Sequence, residues 1–116
     1  MTLHDDKIKL QHMLEHAKEA VALVRGKEKS DLRKNRLLEL ATTRLVEIVG
    51  EAAVKISAEN QAKYPSIPWS QIIGMRNRLI HVYDAVDLDV LWDTLEVDLP
   101  SLIAELNIIL NADNTK

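Results

Sequence analysis

The apolar residues of this chain recur every three or four positions, which is the spacing of one face of an amphipathic helix. The first such stripe starts at Leu10 and stops before Gly26, a residue type that commonly ends helices as a C-terminal cap. A second stripe extends over several turns to Ile56, and Ser30 and Asp31 can cap its helix. The first stripe consists of Leu10, Met13, Leu14, Ala17, Ala20, Val21 and Val24, and the second of Leu38, Ala41, Leu45, Ile48, Ala52 and Ile56. The pattern predicts two long helices.

A glycine interrupts the second predicted helix. Gly50 lies well inside it, and glycine in a helix interior costs roughly 1 kcal/mol relative to alanine. Its neighbours Ala52 and Ala53 are also small, so the backbone of another element can approach closely here. We therefore predict a tight helix contact at this position.

Prolines interrupt the pattern after the second helix. Pro65 and Pro68 fall in the segment 60–68, which is predicted to be a break because proline disrupts helix interiors. Pro68 can occupy an early position of a third helix that runs to about His81. Residues 84–87 are then expected to form a short connection.

The last predicted helix carries the cleanest apolar stripe of the chain. Asp87 can cap its start, and Pro100 is expected to kink or restart it. Residues 110–116 are expected to form a frayed tail. The stripe consists of Leu88, Leu91, Leu95, Leu102, Leu106 and Ile109.

Composition agrees with a helical architecture. Hydrophobic residues make up 47% of the chain, but there is no Phe and there are only two Trp and two Tyr, so the core must be aliphatic. With only three Gly and three Pro, the chain has few of the residues that form tight hairpin turns. At 116 residues the chain fits one domain over 1–116. The fold class predicted is all-α, an up-and-down bundle of four or five helices.

The charge balance limits the kinds of partner. A formal net charge of −3 does not give the electropositive field of a general nucleic-acid binder, so any contact with RNA must be local. The absence of cysteine excludes disulfides, a cysteine nucleophile and thiolate metal sites. The first eighteen residues contain no continuous apolar stretch, which argues against a signal peptide or a membrane span. We expect a cytoplasmic protein that does not associate with membranes.

Polar and charged side chains are concentrated between residues 74 and 83, in a predicted helix that is otherwise apolar. The cluster consists of Arg76, Asn77, Arg78, His81 and Tyr83. On one continuous helix, Arg76 falls on the same line as Ile72 and Leu79 and would place a charge in an apolar stripe. Burying that charge without a partner would be costly.

One explanation of Arg76 needs no function. Glu47 and Glu51 continue a polar line with Arg44 on the second helix, and either carboxylate can pair with Arg76. His81 can simply favour the C-terminal end of a helix, where the dipole stabilises its charged form. The local residues alone do not decide between this explanation and a catalytic site.

The segment from Arg76 to Tyr83 resembles the Arg-x4-His-x-Tyr signature of HepT-like HEPN proteins. All three defining positions are present, and Asn77 supplies the polar residue that follows the arginine in that family. The likeness extends over most of the chain from about Leu37. It includes the segments 44–52, 67–69, 86–87, 90–92 and 99–100. The resemblance implies a helical bundle of the HEPN type.

The resemblance also implies an activity: metal-independent cleavage of RNA, without a cofactor, in which a ribose 2′-hydroxyl attacks the adjacent phosphate. The residue types suit this chemistry. His81 can exchange protons near neutral pH, and Arg76 can bind the phosphate and stabilise the developing charge. Asn77 and Tyr83 can orient the phosphate or the imidazole. Arg44, Glu47 and Glu51 are candidate supporting residues.

Cyclisation of the phosphate needs a base and an acid, but the motif supplies one histidine per chain. Two copies facing each other across a twofold axis would supply both, and the resemblance implies the same arrangement, so we predict a homodimer. HepT-like toxins are paired with an MntA-type nucleotidyltransferase antitoxin. The family resemblance implies that this antitoxin transfers AMP to the motif tyrosine, Tyr83, which would place an anion beside Arg76.

Three other hypotheses remain open. The run from His12 to His16 matches the His-x-x-Glu-His pattern of some zinc proteases, but it lies beside a core stripe and the match is interpreted as accidental. A non-catalytic HEPN module would bind nucleotide or present substrate to a partner nucleotidyltransferase. A purely structural dimeric bundle would leave the motif unexplained. No element that reads bases is recognisable, so the RNA target is not predicted.

Overall fold

The computed structural model describes residues 3–79 and 86–114, and this part of the chain is helical. The all-α prediction is therefore confirmed. The α-helices are α1 (Leu3–Leu23), α2 (Lys29–Lys34), α3 (Arg36–Val54), α4 (Ala58–Lys63), α5 (Trp69–Ile73), α6 (Met75–Leu79), α7 (Leu88–Asp93) and α8 (Leu99–Asn114). A π-helical turn, Thr94–Asp98, joins α7 to α8. None of the helices in the described ranges has the length and apolar character needed to cross a bilayer.

The frame of the fold consists of the three long helices, with α1 packed against both α3 and α8. The apolar stripe predicted for α1 is its buried face, since Leu10, Met13, Ala17 and Ala20 are almost completely inaccessible. After α1 the chain turns through Gly26, whose positive φ of 76° is the conformation expected of a terminating glycine. These contacts place the core between α1, α3 and α8.

The buried face of α3 is rotated from the predicted stripe. Ala41 is exposed, and Thr42 takes its place in the core. The hydroxyl of Thr42 donates to the carbonyl oxygen of Leu38 at 2.8 Å, which lets a polar side chain occupy an apolar site. As a result, Ala41 faces solvent on the same side of the helix as Arg44.

The predicted second helix is divided in the structure. The predicted second helix breaks at Asn35, where an extended backbone separates α2 from α3 and the Asn35 side chain accepts from the backbone N–H of Leu38 at 3.1 Å. The predicted caps Ser30 and Asp31 are wrong, because α2 is capped by Glu28. Asp31 instead accepts from the backbone N–H of Glu28 at 2.6 Å. Local capping therefore starts the long helix at Arg36, later than predicted.

A short helix, α4, overlaps the start of the predicted break after the second helix. Ser57 caps α4 by accepting from the backbone N–H of Asn60. A buried carboxylate, Asp6 of α1, accepts from the Ser57 hydroxyl and from Asn60 Nδ2, each at 2.6 Å, and from the backbone N–H of Ser57. Burial alone would raise the pKa of Asp6, but the hydrogen bonds from Ser57 and Asn60 hold it below its ordinary value.

We predict that Asp6→Ala lowers the free energy of unfolding at pH 7 by about 2–4 kcal/mol, because it leaves buried donors without an acceptor. The stabilisation by a carboxylate of lowered pKa is complete above its ordinary pKa of 3.8 and is lost as the pH falls through the lower folded-state pKa. Urea unfolding should therefore show a smaller difference between Asp6→Ala and the parent in acid. The control is Glu19→Ala, an exposed acid on the same helix. A difference that does not change with pH would contradict the assignment.

The last predicted helix is interrupted next to its proline. Asp87 caps α7 as predicted, accepting from the backbone N–H groups of Asp89 and Val90. Pro100 has no N–H to donate, and the π-helical turn ends just before it, where the N–H of Leu99 bonds to the oxygen of Thr94. Residues 110–114, part of the predicted tail, belong to α8, and Leu110 is buried.

Candidate active site

Arg76 and Asn77 lie on α6, which is separate from α5. The single third helix predicted from the sequence divides at Gly74, whose backbone N–H bonds to the carbonyl oxygen of Ser70 at 3.0 Å. Ile72 and Leu79 on the predicted apolar line are buried, but Arg76 is not. Its side chain is 58% exposed. The expectation that Arg76 interrupts a buried stripe is therefore wrong.

The approach of α5 to α3 is as close as Gly50 predicts. A Cβ atom at Gly50 would lie 3.3 Å from the carbonyl oxygen of Ile72 and 3.6 Å from that of Ile73. Both carbonyls belong to the last turn of α5, immediately before α6. The tight contact brings the start of α6 next to the polar face of α3.

The partner of Arg76 is Glu47 on α3. Arg76 Nε donates to Glu47 Oε2 at 2.8 Å, and the Glu47 side chain is only 18% exposed. Glu51 pairs instead with Arg44, whose Nη1 lies 3.2 Å from Glu51 Oε1 and 4.0 Å from Glu47 Oε1. The ion pair proposed from the sequence is thus present, and Arg44, Glu47 and Glu51 form one charged line along α3.

The contact between Arg76 and Glu47 uses only Nε of the guanidinium and leaves its two Nη atoms available for a ligand. Within residues 3–79 and 86–114, Arg76 donates only through Nε, so Nη1 and Nη2 have no hydrogen-bond acceptor there. These two atoms can bind an anion in the forked geometry that phosphates prefer. An exposed ion pair stabilises a fold by only about 0–1 kcal/mol, so stability alone gives little reason for this arrangement. The contact with Glu47 fixes the direction of the arginine.

The neighbours of Arg76 on α6 point in other directions. Asn77 is exposed. Arg78 Nη1 donates to the carbonyl oxygen of Gln71 at 3.0 Å, and its Nη2 lies 3.8 Å from Asp98 Oδ2 in the π-helical turn. Burial raises the pKa of Asp98 above its ordinary value, Arg78 opposes this, and the charge of Asp93 adds to it.

Arg78 and Asp98 hold α5, α6 and the π-helical turn together, and this role was not predicted from the sequence. The two residues are twenty positions apart, and their pairing depends on tertiary packing. The irregularity expected at Pro100 was the only local signal near Asp98.

His81 and Tyr83, the other two motif residues, lie outside the described residues. The residues that flank this part of the chain are close together, because the backbone N–H of Asp87 donates to the carbonyl oxygen of Leu79 at 2.7 Å. The chain therefore leaves and returns at the end of α6, beside Arg76 and Asn77. The roles of His81 and Tyr83 remain predictions.

The two histidines of the zinc-protease pattern lie on α1. His16 Nδ1 is 2.6 Å from the carbonyl oxygen of His12 and donates to it, and both rings line an open groove of about 570 Å³ between α1 and α3. Lys9, Lys55 and Glu51 also line this groove. No group of three His, Cys, Asp or Glu residues in the part of the chain that the structure describes is arranged to hold a metal ion.

Comparison with known proteins gives a consistent set of similarities. The family model described as "Ribonuclease HepT-like" matches residues 13–109. A protein of Methanocaldococcus jannaschii named "Putative RNase" is 31% identical over 94% of this chain and 100% of its own length. One of the same name from Caldanaerobacter subterraneus is 33% identical over 90% of this chain and 93% of its own. A "Probable ribonuclease HepT" of Thermococcus cleftensis is 44% identical over 55% of this chain and 58% of its own. No solved structure matches significantly.

Proposed function

Because the chain belongs to the HepT-like ribonuclease family, we propose that it is a metal-independent endoribonuclease and the toxin of a toxin–antitoxin pair. The observation that carries the proposal is the position of Arg76. It is exposed, it is held through Nε by Glu47, and its Nη atoms have no acceptor in the described ranges. It also begins the Arg-x4-His-x-Tyr motif. This is the arrangement that a phosphate-binding catalytic arginine requires.

In the proposed reaction, the ribose 2′-oxygen attacks the adjacent phosphorus. His81 of one chain takes the 2′-hydroxyl proton as the new O–P bond forms, and His81 of a second chain gives a proton to the departing 5′-oxygen. Arg76 binds the non-bridging oxygens and stabilises their charge in the transition state. Asn77 and Tyr83 orient the phosphate. The products are a 2′,3′-cyclic phosphate and a 5′-hydroxyl.

The proposed enzyme is a homodimer. Leu37 is 78% exposed and Leu40 is 48% exposed, and both lie on the face of α3 that continues to Arg44 and Glu47. Large exposed apolar side chains beside a charged site are typical of surfaces that bind a partner. A second copy packed here would cover both leucines. It would also bring two motifs to one cleft, which supplies the base and the acid together.

The proposed control of the activity is covalent. A cognate MntA-type nucleotidyltransferase antitoxin would transfer AMP from ATP to the Tyr83 hydroxyl, releasing pyrophosphate. The adduct would place a phosphate within the motif, where Arg76 can bind it. Substrate phosphate and adduct would then compete for the same guanidinium, so that inactivation does not require unfolding.

The proposed activity is tested by incubating the purified protein with total RNA in excess EDTA and analysing the new ends. We expect cleavage that leaves 2′,3′-cyclic phosphates and 5′-hydroxyls. An oligonucleotide with 2′-deoxyribose at the cleaved position is the matched control and should stay intact. Products with 5′-phosphates, or activity abolished by EDTA, would contradict the mechanism. No cleavage by a protein that binds a nucleotidyltransferase would favour the non-catalytic module.

A further inference from the structure

The segment 25–36 is the most basic part of the chain. It contains six basic and two acidic side chains, a formal charge of +4 in a protein whose total is −3. We call its basic residues the basic patch. They are Arg25, Lys27, Lys29, Arg33, Lys34 and Arg36. The remainder of the molecule is therefore strongly acidic, and the positive potential is confined to one region.

The basic patch is well exposed to solvent. The side chains of Arg33 and Arg36 are 66% and 72% exposed, and α2 buries only Leu32. No ion pair in the described ranges involves Lys27 or Lys34. Concentrating like charges on a short surface helix does not help it to fold, because the charges repel one another. A ligand of opposite charge would remove this repulsion.

The fold places the basic patch beside the candidate active site. Helix α2 packs against α7, where Lys29 pairs with Asp89 and Arg33 Nη2 lies 4.0 Å from the same carboxylate. Two residues earlier, the backbone N–H of Asp87 is bonded to Leu79, the last residue of α6. The patch therefore borders the junction of α6 and α7, at which the chain enters and leaves the segment that carries His81.

We propose that the basic patch binds the sugar–phosphate backbone of RNA flanking the cleaved bond. This inference rests on the proposed function and adds the surface by which substrate is held. An acidic molecule repels RNA at long range, so a local positive surface is needed to attract it. Lysine and arginine contacts with phosphates position a strand without reading its sequence. Arg76 then acts on one phosphate of a strand that the patch holds in place.

The test compares two double variants that remove the same charge. Arg33→Gln with Lys34→Gln alters the basic patch. Lys55→Gln with Lys63→Gln is the control, because both lysines are exposed and lie outside the patch, and Lys55 follows the far end of α3, about 27 Å along that helix from Arg36. Binding of each to a fluorescent single-stranded 2′-O-methyl RNA, which lacks the attacking hydroxyl, is measured by anisotropy over a range of salt concentrations.

We expect the patch variant to bind several-fold more weakly at low salt and the control to bind like the parent. Two lost phosphate contacts should reduce the slope of log K against log salt by about 1.4. Equal weakening by both variants would show that only total charge matters and would overturn the proposal. So would a change from dimer to monomer with RNA binding unchanged, since the patch would then be a protein interface.

The outcome separates this inference from the proposed function. A parent protein that binds the RNA through the patch but cleaves nothing would support the patch and contradict the ribonuclease proposal. If the parent cleaves RNA in EDTA and the patch variant equals it in both affinity and rate at low substrate concentration, the ribonuclease proposal is supported and the patch proposal is contradicted.

Discussion

Arg76→Ala is expected to slow RNA cleavage by about 10²–10³-fold, because it removes the positive charge that we propose faces the reacting phosphate. The side chain is more than half exposed, and its ion pair contributes little to stability, so the melting temperature should stay close to that of the parent. Single-turnover cleavage in EDTA measures the effect. Arg76→Lys keeps the charge but loses the forked geometry, and it should recover only part of the rate. A rate equal to the parent in Arg76→Ala would remove the residue from the mechanism.

The contact with Glu47 can be tested with a matched pair on the same helix. Glu47→Gln should lower the rate because the arginine loses the carboxylate that fixes its direction. Glu39→Gln is the control, since Glu39 is similarly shielded and holds Arg36 at 2.9 Å. A loss confined to Glu47→Gln, with equal melting temperatures, indicates positioning. Equal losses would indicate a general effect of charge on α3.

Incubation with a cognate nucleotidyltransferase and ATP is expected to attach adenylate to Tyr83 and to abolish RNA cleavage. The adduct introduces a phosphate that Arg76 can bind in place of substrate. Mass spectrometry of the peptide containing Tyr83 measures the modification, and cleavage of RNA by the same sample measures its effect.

Tyr64 is the internal control for this modification. It is the only other tyrosine, it is half-buried, and its carbonyl oxygen accepts from Trp69 Nε1 at 3.0 Å, outside the motif. Tyr83→Phe should accept no adenylate and escape inactivation, judged against its own unmodified rate. Modification confined to Tyr64, or inactivation of Tyr83→Phe by an active partner, would indicate control by complex formation instead.

The long helices could be predicted from the sequence because each buries one continuous stripe. The buried apolar residues of α1 all belong to the predicted stripe, and Asp87 caps α7 as predicted. The short helices were not predicted, because capping side chains and not an apolar stripe determine where they begin and end. Ser57 starts α4 just before the predicted break at 60–68, and Asn35 separates α2 from α3 within the predicted second helix.

The candidate site was predictable in part. The pairing of Arg76 with the polar line on α3 followed from helical spacing, and the structure selects Glu47 over Glu51. The exposure of Arg76 did not follow, because the apolar pattern places it on one line with Ile72 and Leu79, which are buried. The contact of Arg78 with Asp98 depends on the mutual orientation of distant helices, which one sequence pattern does not specify.

The π-helical turn before Pro100 also sets the rotational phase of the last helices. An i→i+5 turn holds one residue more than an α-turn, so the chain emerges rotated by about 100° relative to a regular helix. This offset presents Asp98 to Arg78 and Gln71 while Leu95 and Leu99 stay buried. Deleting one residue between 94 and 98 would convert the wide turn into regular α-helix and remove the extra residue that presents Asp98 to its partners. The wide turn before Pro100 thus helps to hold α5 and α6 against the last helices, through the contacts of Asp98 with Gln71 and Arg78.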